Sequence, residues 1–227
     1  MPVRPWTVLE EVLVPGSGER LRLSQRGDEF SIRLGNHNQL MNSRASGSER
    51  AMAELGCAGL TARRTARVLV SGLGMGFTLR AALNLLPSTA TVVVAELVPA
   101  VVEWNRGPIA ALSSNALADP RVTVRVGDVA DVIAEARSAY DAILLDVDNG
   151  PEGLHGSNDG LYGTTGLAQS FSALRPGGTL TVWSATSDPA FTRRLRQIGF
   201  GVAEHGVHAH GTKGARHTIW VATRPSR

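Results

Sequence analysis

Glycines at 72, 74 and 76 stand where a short apolar run, Val68 to Val70, gives way to the helical pattern Thr78 to Leu86. Few junctions constrain a fold as tightly. A buried strand that breaks into glycines and re-enters as a helix is one unit of an open parallel sheet. The glycines let backbone approach a ligand and take dihedrals closed to other residues. A second apolar run, Thr91 to Ala95, then ends in Glu96. An acid at the tip of the second strand is where such sheets hold ribose hydroxyls. Turn and acid together predict an adenosine-bearing cofactor at one end of a parallel sheet.

The spacing fits poorly to the commoner nucleotides. A dinucleotide fingerprint has its third glycine three residues after the second. Phe77 occupies that position, and the glycine falls one residue early, at Gly76. No Lys-Ser/Thr pair follows, as a phosphate loop needs. Two further strands extend the pattern: Val122 to Val126 leads into Gly127-Asp128-Val129, and Ala142 to Leu145 leads into Asp146. Ligands of open parallel sheets bind beyond the carboxyl ends of the strands, so Glu96, Asp128 and Asp146 are expected on one rim. Asp128 has an alternative reading as the cap of the next helix. That reading is weaker for Asp146, which is followed by the Gly/Asn/Asp-rich stretch up to Tyr162.

Several segments together resemble the spermidine synthases and their relatives. They are Ser71-Gly-Leu-Gly-Met-Gly-Phe-Thr-Leu-Arg80, Val94-Ala-Glu96-Leu-Val, Asp119-Pro-Arg-Val-Thr, Gly127-Asp128, Tyr140-Asp-Ala-Ile-Leu-Leu-Asp146 and Leu174-Arg-Pro-Gly-Gly178, in that family's order, over residues from about 30 to 185. The resemblance implies an α/β, Rossmann-like class I methyltransferase fold. Its mostly parallel seven-stranded sheet has an antiparallel terminal strand and is preceded by a small amino-terminal β meander. It implies a cofactor cradle of Gly72, Gly74, Met75, Gly76, Glu96, Leu97, Asp128, Val129 and Asp146. Glu96 would bind ribose, Asp128 the adenine amino group with Val129 against the ring, and Asp146 would face the reacting amine. Leu34-Gly-Asn-His-Asn-Gln39 resembles the turn and glutamine before that family's gate helix, so Gln39 and His37 become substrate-side candidates. A homodimer is also implied by the resemblance alone.

The departures bear on chemistry. The synthases carry an acid in the glycine loop that grips the amine of decarboxylated S-adenosylmethionine, and Met75 stands there instead. Ser48-Glu49-Arg50 replaces the tyrosine-plus-His/Gln pair of the gate helix. The acidic loop reads Asp146-Val-Asp148-Asn149-Gly-Pro151, one residue shorter before its Gly-Pro pair. Loss of the acid at 75 points toward intact S-adenosylmethionine, hence a methyltransferase acting on a small polar or amine acceptor. The alternative is a polyamine aminopropyltransferase using the decarboxylated cofactor. A reading of another class is a catalytically inactive relative that binds a nucleoside or protein. Asp146 is the expected catalytic carboxylate, with Asp148 or Asn149 assisting. Trp183 is either the floor of the acceptor pocket or core.

Composition narrows the remaining classes. No apolar run approaches the ~20 residues that span a bilayer, and Met1-Pro-Val-Arg-Pro lacks a signal peptide's apolar stretch; a cytoplasmic protein with no membrane partner is expected. Cys57, the only cysteine, allows no internal disulfide and is expected to pack on the gate helix. The net charge is +3, and only Lys213 among the 23 basic residues is lysine. Its arginines are dispersed, which argues against nucleic acid. His205, His208 and His210 have only Glu204 nearby to complete a metal site, and it points to the opposite face from His205, so no metal is expected. Residues 7 to 40 alternate around glycine turns as an antiparallel meander. A helix then starts near Ser46 or Ser48 and is expected to stop at Gly56. Domains are set at 1–44, the meander, and 45–227, the cofactor-binding unit.

Overall fold

A computed structural model describes residues 4–35, 38–147, 159–210 and 213–226. Asp148, Asn149 and His37 therefore lie outside the described residues.

The alternating segment folds as four antiparallel strands in sequence order: β1 (Thr7–Leu13), β2 (Arg20–Arg26), β3 (Glu29–Leu34) and β4 (Asn38–Asn42). Helix α1 (Gly47–Cys57) leads to the larger sheet. There strands and helices alternate: β5 (Arg67–Ser71), α2 (Phe77–Leu85), β6 (Thr91–Glu96), α3 (Pro99–Arg106), β7 (Val122–Val126), α4 (Val129–Ala134) and β8 (Tyr140–Leu145). Then come α5 (Asp159–Tyr162), α6 (Thr164–Ala173), β9 (Leu174–Ser184), α7 (Pro189–Ile198), β10 (Gly201–His210) and β11 (Lys213–Thr223). The seven strands stand in the order β10-β11-β9-β8-β5-β6-β7. All neighbouring pairs from β9 to β7 are parallel, and β11 runs antiparallel to both β9 and β10.

Period-two alternation in the parallel strands builds two cores. Val68, Val70, Val92, Val94, Ala142 and Leu144 face α1, α2, α3 and the meander; Leu69, Val93, Ala95, Ile143 and Leu145 face α4, α6 and α7. Strands buried on both faces read as unbroken apolar runs, as these do. Leu21, Leu23, Ile32 and Leu34 of the meander belong to the first core, and Trp104 Nε1 donates to Glu10 Oε2 at 2.6 Å across the same junction.

Gly56 is the penultimate residue of α1, which ends at Cys57. It lies inside the helix, where a Cβ would collide with Leu144 and crowd Thr181. The glycine lets the helix lie close on the sheet, a packing role invisible to a search for helix ends. Cys57 beside it is buried, and burial pushes its thiol up to about 12, so it is inert.

Asp141 at the start of β8 is a structural anchor. Its fully buried side chain accepts from Arg63 Nη1 at 2.7 Å, Arg175 Nη1 at 2.8 Å and the Arg67 backbone N–H at 2.8 Å. Asp141→Ala strands that N–H and two half-exposed arginines. An expected loss of about 2–3 kcal/mol follows from hydrogen bonds to a charged group, read as a lower urea midpoint with unchanged m.

Candidate active site

The chain runs from β5 outward to β6 and β7, then returns to build β8 and β9 on the other side of β5. The order therefore reverses between β5 and β8, and a crevice opens beyond the carboxyl ends of the strands at such a reversal. Both sides of it are in contact. Asp146 N donates to Ser71 O at 3.1 Å, and a Cβ on Gly72 would run into the Asp146 carbonyl. Gly72, Gly74 and Gly76 all have positive φ, at 79°, 49° and 76°. A side chain at Gly74 would strike the sulfur of Met41, which reaches over the turn from β4. Asn105 Nδ2 donates to Gly74 O at 2.8 Å and pins the turn from α3.

A cavity of ≈ 670 Å³ occupies the crevice and is roofed by the meander. On the sheet side its walls include Gly72, Gly74, Glu96, Leu97, Asp128, Val129, Asp146 and Trp183. The three strand-end acids expected on one rim thus meet in one cavity. Ile32, Leu34, Leu40 and Met41 line it from β3 and β4, and Leu21 from β2.

Glu96 is 8% exposed. Its Oε2 accepts from Leu73 N and its Oε1 from Val98 N, each at 2.8 Å. Burial pushes its carboxyl up, against the neighbouring N–H groups that favour the charged form. Asp128 is exposed and does cap α4: its Oδ1 accepts from Ala130 N at 2.8 Å, with the residue still on the cavity wall. The capping and wall positions coexist because a helix starts at the rim. Asp146 Oδ2 accepts from Thr78 Oγ1 at 2.6 Å. Burial, then the charge of Glu49, push its carboxyl up to about 7, against the Thr78 hydrogen bond.

Three expected residues stand elsewhere. Met75 is fully buried in the core beneath the turn and does not line the cavity. Gly76 starts α2 with its Cα packed near Ser113 and Asn105, so it shapes the turn from behind. Gln39 is exposed, and its Oε1 accepts from Ser31 Oγ at 3.4 Å. A bulge at Leu40 explains this placement: Met41 pairs with inward-facing Ile32 and Gln39 with Arg33. One extra residue flips which side chains face in.

Two carboxylates on the wall carry no strand-end signal. Glu49 comes from the first turn of α1, where Ser48 Oγ donates to its Oε2 at 2.8 Å. Glu19 comes from the meander. Glu49 stood out in the sequence only as a departure at the gate helix. The described wall thus carries Glu19, Glu49, Glu96, Asp128 and Asp146 and no Arg, Lys or His, in a chain whose net charge is +3.

A family profile described as spermine/spermidine synthase domain matches residues 49–195. Polyamine aminopropyltransferases of Mycobacterium tuberculosis H37Rv and Mycobacterium bovis are each 32% identical over 150 residues, covering 62% of this chain and 28% of the relative. The matched region thus spans less than a third of those curated relatives. A crystal structure of spermidine synthase in complex with the transition-state analogue AdoDATO superposes with a TM-score of 0.73 at 16% identity, covering 97% of this chain and 73% of that one. Spermidine synthase from Thermotoga maritima gives 0.74 at 16% identity, with 97% and 74% covered. Identity this low carries the fold alone.

Proposed function

Because the chain belongs to the spermine/spermidine synthase domain family, we propose that it transfers an aminopropyl group from decarboxylated S-adenosylmethionine to an amine acceptor. One observation carries this choice of cofactor over the intact one: a cavity wall with five carboxylates and, among the described residues, no cationic side chain. A sulfonium and an ammonium are both favoured there. The carboxylate of intact S-adenosylmethionine would face like charge, with no cationic side chain among the described wall residues to pair it. Met75 alone pointed to the intact cofactor and methyl transfer. That support fails at Glu49, which supplies an acid from α1 where the turn has none.

The residues fit the group. Gly72 and Gly74 bring backbone to the cavity wall, with Met41 from β4 packed over Gly74. Glu96, held by two backbone N–H groups, keeps lone pairs for ribose hydroxyls. Val129 and Leu97 offer apolar surface to adenine, and Asp128 can accept from its amino group. When bound, the cofactor supplies an activated carbon: the acceptor nitrogen forms a C–N bond as the C–S bond breaks, and the electron pair leaves with sulfur in neutral methylthioadenosine. Position and charge are most of what the protein must add. Asp146 takes the proton that the attacking nitrogen sheds. Trp183 closes the acceptor end as an apolar wall.

Calorimetric titration of the purified chain with both nucleosides tests the reading. The decarboxylated form is expected to bind at least about tenfold more tightly, a difference of about 1.4 kcal/mol. Tighter binding of the intact form would restore methyl transfer. Binding of either with no turnover on any diamine would leave a silent nucleoside-binding relative.

A further inference from the structure

We propose that Glu49 is the selectivity residue of this site: it holds the terminal ammonium of the cofactor's transferable chain from α1, in place of an acid in the glycine turn. The proposal rests on the aminopropyl reading above. Leu73 and Met75 are buried, Gly72 and Gly74 carry no side chain, and Gly76 faces Ser113 and Asn105. The turn therefore offers only backbone to a ligand. A flexible aminopropyl chain beyond the sulfur needs its charge fixed by something else.

Glu49 is built to do so. It stands in the first turn of α1, which packs against α2, the helix that the glycine turn opens. Ser48, itself buried, donates to Glu49 Oε2 and fixes the side chain. The helix is seated by the close approach of Gly56 to Leu144 and Thr181. On the same cavity wall, Thr78 holds Asp146 in the same way. Two carboxylates oriented from different elements onto one cavity repel each other, and the charge of Glu49 is felt at Asp146. A cation between them relieves that repulsion. Their roles separate by chemistry. A group that accepts a proton during the reaction must lose charge, which suits Asp146. A group that holds a permanent ammonium must keep its charge, the role assigned to Glu49, whose charge acts at Asp146. Glu96 and Asp128 stand at the ends of β6 and β7, with both Glu96 oxygens already accepting backbone N–H groups, and the β5–β8 reversal is where the transferable chain would lie.

Three nucleosides separate the possibilities by calorimetry on wild type and Glu49→Gln. Decarboxylated S-adenosylmethionine carries sulfonium and ammonium, S-adenosylmethionine carries these and a carboxylate, and methylthioadenosine carries no charge. The variant is expected to weaken the decarboxylated nucleoside about 10- to 100-fold, the span of a charge-assisted contact. Methylthioadenosine should stay within about twofold, by the absence of that contact. The preference for decarboxylated over intact cofactor should collapse toward unity, and Glu49→Asp should recover part of it. Equal weakening of all three would make Glu49 structural and overturn the proposal. Unchanged nucleoside affinities with a raised acceptor KM would overturn it too, assigning Glu49 to the acceptor. Wild-type protein that binds none of the three would instead fail the nucleoside reading, and the proposal with it.

Discussion

Asp146→Asn lowers kcat by about 10²- to 10⁴-fold, the range contributed by a positioned proton acceptor, while Kd for methylthioadenosine moves less than about threefold, since no ion pair to that ligand is lost. Asn keeps an oxygen for Thr78, whose hydroxyl donates to the native carboxylate at 2.6 Å. The geometry of the crevice survives, and what disappears is the ability to take a proton. The native profile of kcat/KM should bend downward as pH falls through about 7, because burial and Glu49 push the Asp146 carboxyl up to that value. The variant lacks this limb. The same shift has a sign for folding. An acid whose folded value lies above its ordinary 3.8 binds a proton more readily when folded. Its stabilising contribution is therefore present at low pH and is lost as pH rises toward about 7. Asp146→Asn should flatten that part of the stability profile. Equal loss of turnover and of nucleoside affinity would reassign Asp146 to binding.

Glu96→Gln is expected to raise Kd for methylthioadenosine about 100-fold, some 2.7 kcal/mol, from weakened charge-assisted hydrogen bonds to ribose. The cause is local. Both oxygens accept backbone N–H groups, from Leu73 and Val98. An amide can present one oxygen; its NH₂ would then oppose the other N–H, donor against donor. The glycine turn and the start of α3 would lose a shared acceptor together with the ribose contact. Asp128→Ala is the comparison. Asp128 is exposed, and its clearest bond is the α4 cap, so loss of that cap costs about 1 kcal/mol of stability. Similar affinities in the two variants, read by calorimetry at one temperature, would remove Glu96 from the ribose role.

Strand-end acids were legible because their positions follow from local rules. An apolar run that stops at a carboxylate puts that carboxylate at the sheet's rim whatever else the chain does, and Glu96, Asp128 and Asp146 share one cavity accordingly. The glycine turn was legible for the same reason. Met75 was misplaced because a loop residue's direction is set by packing: the loop turned that side chain into the core. Gln39 was misplaced by the bulge at Leu40, a one-residue event with no composition of its own. Glu49, Met41 and Ile32 reach the site only because the meander and α1 fold over the rim, a long-range placement that periodicity does not encode. Gly56 lies at the end of α1, but the sequence does not show how close the sheet lies beneath it.

Leu21, Leu23, Ile32 and Leu34 are at once the underside of the meander and part of the packing that supports β5 and β6. Chimeras that graft the amino-terminal segment of a relative onto this chain therefore replace a piece of its foundations as well as a cover. An exchange meant to alter which amine is accepted would have to bring matching partners from α1 and α3, or the hybrid would lose solubility before its preferences could be read.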